Sequence, residues 1–169
     1  AAGLLANDSD VDGDALTVRL VDPPSHGTVT LADDGSFQYT PDADYHGADS
    51  FTYVASDGVA ESAVATVAIT IEAVNDAPLA ADDAYTIGED GTLIVDTAAG
   101  LLANDSDVDG DALTVRLVDP PSHGTVTLAD DGSFQYTPEA DYHGADSFTY
   151  VASDGVAESA AATVAITIE

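Results

Sequence analysis

Gly124-Thr-Val-Thr-Leu-Ala-Asp-Asp-Gly-Ser-Phe-Gln-Tyr-Thr-Pro138 alternates apolar and polar side chains on both sides of a turn. Val126 and Leu128 take every second place before Asp130-Asp-Gly, and Phe134 and Tyr136 take every second place after it. A period of two is the pleat of a β-strand, and Asp-Gly is a tight-turn signal. The stretch therefore reads as two strands, near 124–129 and 133–137. Working outward, the same alternation predicts strands near 84–87, 92–96, 112–118, 147–152 and 161–169. Turns separate them at Gly88-Glu-Asp-Gly, Asp119-Pro-Pro-Ser-His-Gly and Ser153-Asp-Gly, and helical periodicity is absent. Seven short strands in about 95 residues are the count of an immunoglobulin-like sandwich. The predicted fold is all-β, a seven-stranded immunoglobulin-like β-sandwich in each repeat. Phe148 and Tyr150, like Phe134 and Tyr136, sit at i and i+2, share a face and belong to its core.

The pattern occurs twice. Residues 98–169 restate residues 1–72 with two differences, Asp42 against Glu139 and Val64 against Ala161. A period of 97 residues means tandem domains, and an array gains length or avidity from every copy. The seam is Ala73-Val-Asn-Asp-Ala-Pro-Leu, where Pro78 stiffens the connection and cannot join a ladder. Residues 73–78 are read as the linker and 79–169 as a complete repeat. Only one copy of residues 82–97 exists, so 1–72 is expected to lack its first two strands. Residues upstream, strand exchange with another copy, or closure on residues 82–97 would each complete it. Upstream residues are favoured, because the chain begins and ends in mid-pattern and reads as an excerpt of a longer array.

Charge narrows the function. Thirty-two acidic residues face two basic ones, Arg19 and Arg116, for a net charge of −30. Such a surface repels nucleic acid and anionic membranes and attracts metal cations. No apolar run marks a signal peptide or a membrane span, so direct membrane insertion is not expected. Asp outnumbers Glu by 26 to 6, which places the charge in turns and loops. A halophile-type surface would instead spread acids over exposed strand faces, which here carry Thr, Ser and Gln. Cysteine is absent, so disulfides cannot hold the domains together, and a metal can serve where many extracellular domains use them.

The strongest chemical motif is Asn104-Asp-Ser-Asp-Val-Asp-Gly-Asp, a copy of Asn7-Asp-Ser-Asp-Val-Asp-Gly-Asp. Alternate acids on a turning loop aim several hard oxygens inward, and Ca²⁺ takes six to eight of them. Asp105, Asp107 and Asp109 before Gly110 mimic the opening of an EF-hand loop. The twelfth position is Arg116, however, and there are no helices, so an EF-hand is rejected. The candidate calcium ligands are Asn104, Asp105, Asp107, Asp109 and Asp111, with Asp8, Asp10, Asp12 and Asp14 in the first copy. In an alternating seven-stranded sandwich, Asp154 and Glu158 share that end, as do Asp130 and Asp131, and Asp57 is the copy of Asp154. Glu89 and Asp90 lie at the opposite end, with Asp44 and Asp49 in the first copy. The linker adds Asn75 and Asp76. These groups are expected to converge between repeats, where so many like charges need a cation.

Taken in order, Val74-Asn-Asp-Ala-Pro, Glu89-Asp-Gly, Asn104-Asp-Ser-Asp-Val-Asp-Gly-Asp, Gly124-Thr-Val-Thr-Leu, Asp131-Gly-Ser-Phe-Gln-Tyr-Thr-Pro and Asp146-Ser-Phe-Thr-Tyr resemble the bacterial cadherin-like tandem repeats of RTX-type surface adhesins. The resemblance covers the whole chain. It implies a Greek-key sandwich, calcium at the inter-repeat junctions, export by a type I system to the bacterial cell surface, and a stalk role. The expected function is a calcium-stiffened spacer whose partners are neighbouring repeats of its own chain. The alternative is that each repeat is a calcium-dependent glycan- or ligand-binding module. His26, His46, His123 and His143 sit in loops without clustered ligands and read as turn residues, and no enzyme is expected.

Overall fold

Alternation folds each copy into strands whose apolar faces meet. The computed structural model describes residues 3–169, so the first two residues of the copy that starts at Ala1 lie outside them. The chain divides into two compact units, Ala1–Val74 and Asn75–Glu169. The family of strands in unit 1 is β1 (Thr17–Leu20), β2 (Gly27–Leu31), β3 (Phe37–Pro41), β4 (Gly47–Ser56) and β5 (Ala65–Ile71). Unit 2 holds β6 (Asp83–Ile87), β7 (Leu93–Val95), β8 (Thr114–Leu117), β9 (Gly124–Leu128), β10 (Phe134–Pro138), β11 (Gly144–Ser153) and β12 (Ala162–Ile168).

In unit 2 two sheets enclose one core. The first has the order β6-β12-β11-β8 and the second β7-β10-β9. β6 runs parallel to β12, while the other pairings are antiparallel. Along β12, Ala162, Val164, Ile166 and Ile168 are buried and the residues between them exposed. A one-residue slip would turn all four to water, so burial fixes the register. Phe134 meets Phe148 edge-on at 5.4 Å and Tyr85 at 5.2 Å, joining the two sheets. Each such aromatic pair contributes about 0.5–1.5 kcal/mol beyond its area.

Alternation alone does not foretell two 3₁₀ turns, Leu4–Asn7 and Leu101–Ala103. One turn is too short to show a period. Leu101 is fully buried, and its N–H donates to the Gly132 carbonyl at 3.0 Å. Two glycines permit this approach. Gly132 has φ +82°, and a Cβ on Gly100 would lie 2.6 Å from the Gly132 carbonyl oxygen.

Unit 1 repeats five of these strands, in sheets β1-β4-β5 and β2-β3. Its core gathers Leu4, Val18, Phe51 and Tyr53, with Phe37, Val67 and Ile69 only half-buried around them. Along β3 and β5 burial is shallower than at the matching positions of β10 and β12. Ile166→Ala should therefore destabilise unit 2 by about 2–5 kcal/mol, the usual cost of a cavity at a sealed site. Ile69→Ala, at the matching position of unit 1, should cost clearly less. Urea denaturation of the two variants beside the parent checks the order; equal losses would mean the two sites are equally sealed.

Candidate metal centre

The acidic loop of unit 2 runs from the Leu101–Ala103 turn to β8 and winds around one side chain. Asp107 Oδ1 accepts the N–H of Asp109 at 2.9 Å and of Asp111 at 3.2 Å. Gly110, at φ +78°, allows the loop to close over that oxygen. The wrapping brings one carboxylate oxygen each from Asp107, Asp109 and Asp111 within 4.8 Å of one another. Calcium–oxygen bonds of about 2.3–2.6 Å span such a separation. The second oxygen of Asp107 is the telling one. Oδ2 is shut off from solvent and has no hydrogen-bond donor, the one such side-chain atom among the described residues. A buried carboxylate oxygen without a donor is costly, and a cation is the partner that three converging acids would accept.

Residues just beyond Val74 are tied into the same loop. Asp76 donates its N–H to Asp109 Oδ2 at 2.8 Å, and the Asn75 side-chain amide donates to Asp154 Oδ2 at 2.9 Å. Leu79 and Ser106 exchange backbone hydrogen bonds, and Ala81 donates to Asp105 Oδ1 at 2.8 Å. Below the loop, Tyr150 donates to Asp105 at 3.0 Å, and the Asn104 amide donates to Asp83 at 3.2 Å. Burial raises the pKa of Asp105. Burial, followed by the Asp105 charge, pushes Asp83 up to about 6 against the hydrogen bonds of Asn104 and Tyr150. Asp82 and Asp83 were not among the candidates from sequence, although the acidic pair heading β6 was a visible signal. Asp82 instead accepts the N–H of Thr163 at 2.7 Å and clips β6 to β12.

The other candidates are distributed as follows. Glu89 and Asp90 occupy the turn between β6 and β7, with Asp90 in the left-handed region at φ 61°. Asp10 Oδ1 accepts from Asp12 and Asp14, the same winding as in unit 2, but Asp10, Asp12 and Asp14 do not form a close-set carboxylate group among the described residues. Asp8 accepts the Tyr53 hydroxyl at 3.1 Å. Asp57 and Asp154 each use Oδ1 to cap their own turns, through Val59 and Ala60, and through Val156 and Ala157. Asp44 is a left-handed turn residue at φ 59°. Glu158 forms a bidentate pair with Arg116, and Asp131 accepts from Ser133 in its own turn, so neither joins the loop.

Asp49 is engaged elsewhere. It is buried within β4 and accepts from Ser25 N–H, His26 N–H, Ser50 N–H and the Tyr39 hydroxyl. Asp146 repeats this with Ser122, His123, Ser147 and Tyr136. These carboxylates anchor the loops that carry His26 and His123, whose rings stack on Tyr45 and Tyr142 at 4.0 and 4.1 Å.

A family model, the bacterial cadherin-like domain, matches residues 1–73 and again residues 75–169. The chain belongs to this family. None of the curated proteins matches the sequence. Among solved structures, human mucin-like protocadherin EC1-2 is similar at a TM-score of 0.56 and 15% identity, covering 97% of this chain and 91% of that one. Protocadherin gamma B2 cadherin domains 3–6 align at 0.54 and 14%, covering 96% and 42%. These likenesses show the fold: tandem cadherin-type β-sandwiches. An endo-fucoidan hydrolase of glycoside hydrolase family 107 aligns at 26% identity over 94% of this chain, with a TM-score of 0.39. The chain spans only 24% of that enzyme's length.

The buried carboxylates make acid stability predictable in sign. Burial alone would raise the pKa of Asp49, but its donors, led by the Ser25 N–H, hold it down to about 2. For Asp146 the hydroxyl of Tyr136 and three backbone N–H groups likewise outweigh burial and lower it. A depressed folded-state pKa adds stability above the unfolded value of about 3.9, lost as pH falls through the folded value. Melting temperatures should thus fall steeply from pH 4 to 2 in the parent (~2 pH units). The double variant Asp49→Asn, Asp146→Asn should melt lower at neutral pH and show a flatter acid limb.

Proposed function

We propose that this chain is a calcium-binding spacer module, a pair of repeats from an extracellular bacterial surface protein. The observation that carries the reading is the donorless, solvent-free Oδ2 of Asp107 beside the carboxylates of Asp109 and Asp111. Family membership supports it, because cadherin-like domains are extracellular and generally bind calcium. Asp107, Asp109 and Asp111 would hold the ion, and Asn75 and Asp76 would be drawn in through their bonds to Asp154 and Asp109. Because Asn75 directly follows Val74, order imposed on this loop passes along the backbone to the boundary between the units. A bound ion thereby stiffens the connection, the property a stalk needs. We assign the module to the extender of an adhesin of the RTX type, exported by a type I system, with a structural and non-enzymatic role.

Calcium binding only to the folded state stabilises by RT ln(1 + [L]/Kd). With the 10⁻⁴–10⁻³ M affinities of extracellular modules, low-millimolar calcium should contribute about 1–2 kcal/mol. Melting curves in calcium and in EDTA at matched ionic strength test this. Calcium should raise the melting temperature of the parent and leave Asp107→Ala, Asp109→Ala nearly unmoved. Small-angle scattering should show that the same variant samples a broader ensemble than the calcium-loaded parent. Coincident curves in calcium and EDTA would refute the calcium reading. Recovery by monovalent salt alone would replace it with acid solvation of the surface.

A further inference from the structure

A sheet edge without a neighbour presents unpaired backbone N–H and C=O groups, and folded proteins guard such edges with charge, proline or cover. Unit 2 has four edges, β6 and β8 in one sheet and β7 and β9 in the other. On β8 the ion pair of Arg116 with Glu158 sets charge at the edge, and β6 begins with Asp83. β9 turns Thr125 and Thr127 to water. β7 has no guard within it. It consists of Leu93, Ile94 and Val95. Of the large apolar side chains exposed on the described residues, Ile94, at 75%, alone lies within a strand.

The face around Ile94 is uncharged. Ile94 lies across from Gln135, and Gln135 across from Thr127. With Thr125 and Thr137 they make up the exposed side of this sheet. A shallow groove of about 440 Å³ runs along it, lined by Ile94, Thr97, Thr127, Ala129 and Gln135, among others. In a chain of net charge −30 this is a neutral window. Two such chains repel each other except where both are neutral, so a second copy can meet this one here.

We propose that β7 is a homotypic docking edge, at which two copies of this chain join by antiparallel pairing of their β7 strands about a two-fold axis at Ile94. The charge pattern of residues 92–96 selects both the partner and the register. Thr92 and Asp96 stand two residues to either side of Ile94, so the two-fold sets each Asp96 opposite the partner's Thr92. Ile94 then packs against its own copy. An axis at Leu93 would set Asp96 opposite the partner's Asp90, and an axis at Val95 would set Asp96 opposite the partner's Ile94. Parallel pairing in register would stack Asp96 beside Asp96. Like charges directly opposite destabilise a sheet, whereas paired β-branched side chains stabilise it. The strand is thus complementary to its own reverse, as an isologous contact requires. Asp96 stays satisfied throughout, because its Oδ1 accepts the N–H groups of Ala98 and Ala99 in its own turn. Leu93 and Val95 keep facing the core, and the β7-β10-β9 sheet becomes one of six strands across the pair. A contact this small belongs to the weak, transient class. It involves unit 2 alone and no residue of the acidic loop.

Sedimentation of the full chain over a dilution series reaching millimolar concentration, in EDTA, tests the proposal. A monomer–dimer equilibrium is expected, and it should strengthen with monovalent salt as the acidic surfaces are screened. Ile94→Lys should weaken association at least about tenfold, because it sets two cations face to face. Its melting curve should match that of the parent, since Ile94 is not part of the core. The chain has no cysteine, so single replacements report the register. Directly opposed strand residues lie about 4.5–5.5 Å apart at Cα, within disulfide reach. Ile94→Cys should therefore form a disulfide dimer in a thiol–disulfide buffer. Thr92→Cys should not, because in this register its two copies lie roughly 14 Å apart. Thr127→Cys, two strands farther from the axis, should not either. A chain that stays monomeric over the whole series would overturn the proposal. So would an Ile94→Lys variant that associates like the parent, or cross-linking through Thr92→Cys or Thr127→Cys as fast as through Ile94→Cys. Because every arm is read in EDTA, none of these outcomes bears on the calcium melting curves.

Discussion

The contact between Phe134 and Phe148 is the interaction on which unit 2 depends, because it is where one sheet meets the other. Phe148 sits on β11, which is hydrogen-bonded on both sides, to β12 and to β8. Phe134 sits on β10, likewise between β7 and β9. Two central strands thus bring two sheets together, and the flanking strands close the core around Tyr136, Tyr150 and Ile166. The acidic loop is held against this frame by the Tyr150 hydroxyl, whose ring is core and whose oxygen reaches Asp105. Packing and candidate metal site therefore meet in a single side chain.

The charge of the chain is tolerated because of where it lies. Most carboxylates lie outside the strands, and several accept nearby backbone N–H groups in their own turns, as Asp154 and Asp131 do. The two arginines are paired with Glu61 and Glu158 at 2.9 Å, and exposed pairs of this kind, screened by solvent, add little to stability. The acids that matter most are those withdrawn from water. Asp49 and Asp146 are satisfied entirely by protein donors, whereas Asp107 is not. That contrast separates a structural carboxylate from one suited to a cation.

Much of this was legible in the sequence, for a physical reason. Strand alternation is local, so the strands of unit 2 fall close to where residues 84–87 and 124–129 suggested them. The β11 strand runs longer at its start than expected, because Asp146 carries its charge into a buried position and masks the pattern. Asp107-x-Asp-Gly-Asp111 is likewise local and brings three carboxylates together, while Asp105 of the same run turns inward to Ala81 and Tyr150. What was not legible depends on contacts distant in sequence. Asp83 acquires its shifted pKa from burial and from Asp105, while Leu101 depends on a carbonyl contributed by Gly132. Asp49 and Asp57 look alike in sequence, yet one is buried and holds the exposed Ser25–His26 loop, while the other caps its own exposed turn.

The parallel pairing of β6 with β12 has a mechanical consequence. β6 stands near the start of unit 2 and β12 at its end, and their ladder aligns five residue pairs from Asp83 with Val164 to Ile87 with Ile168. Because the strands point the same way, tension applied through the two ends of the unit pulls them past each other lengthwise. The ladder is loaded in shear, and its hydrogen bonds must yield together instead of unzipping one by one. A sandwich closed by its first and last strands in this manner resists stretching along the direction in which a tethered chain is pulled.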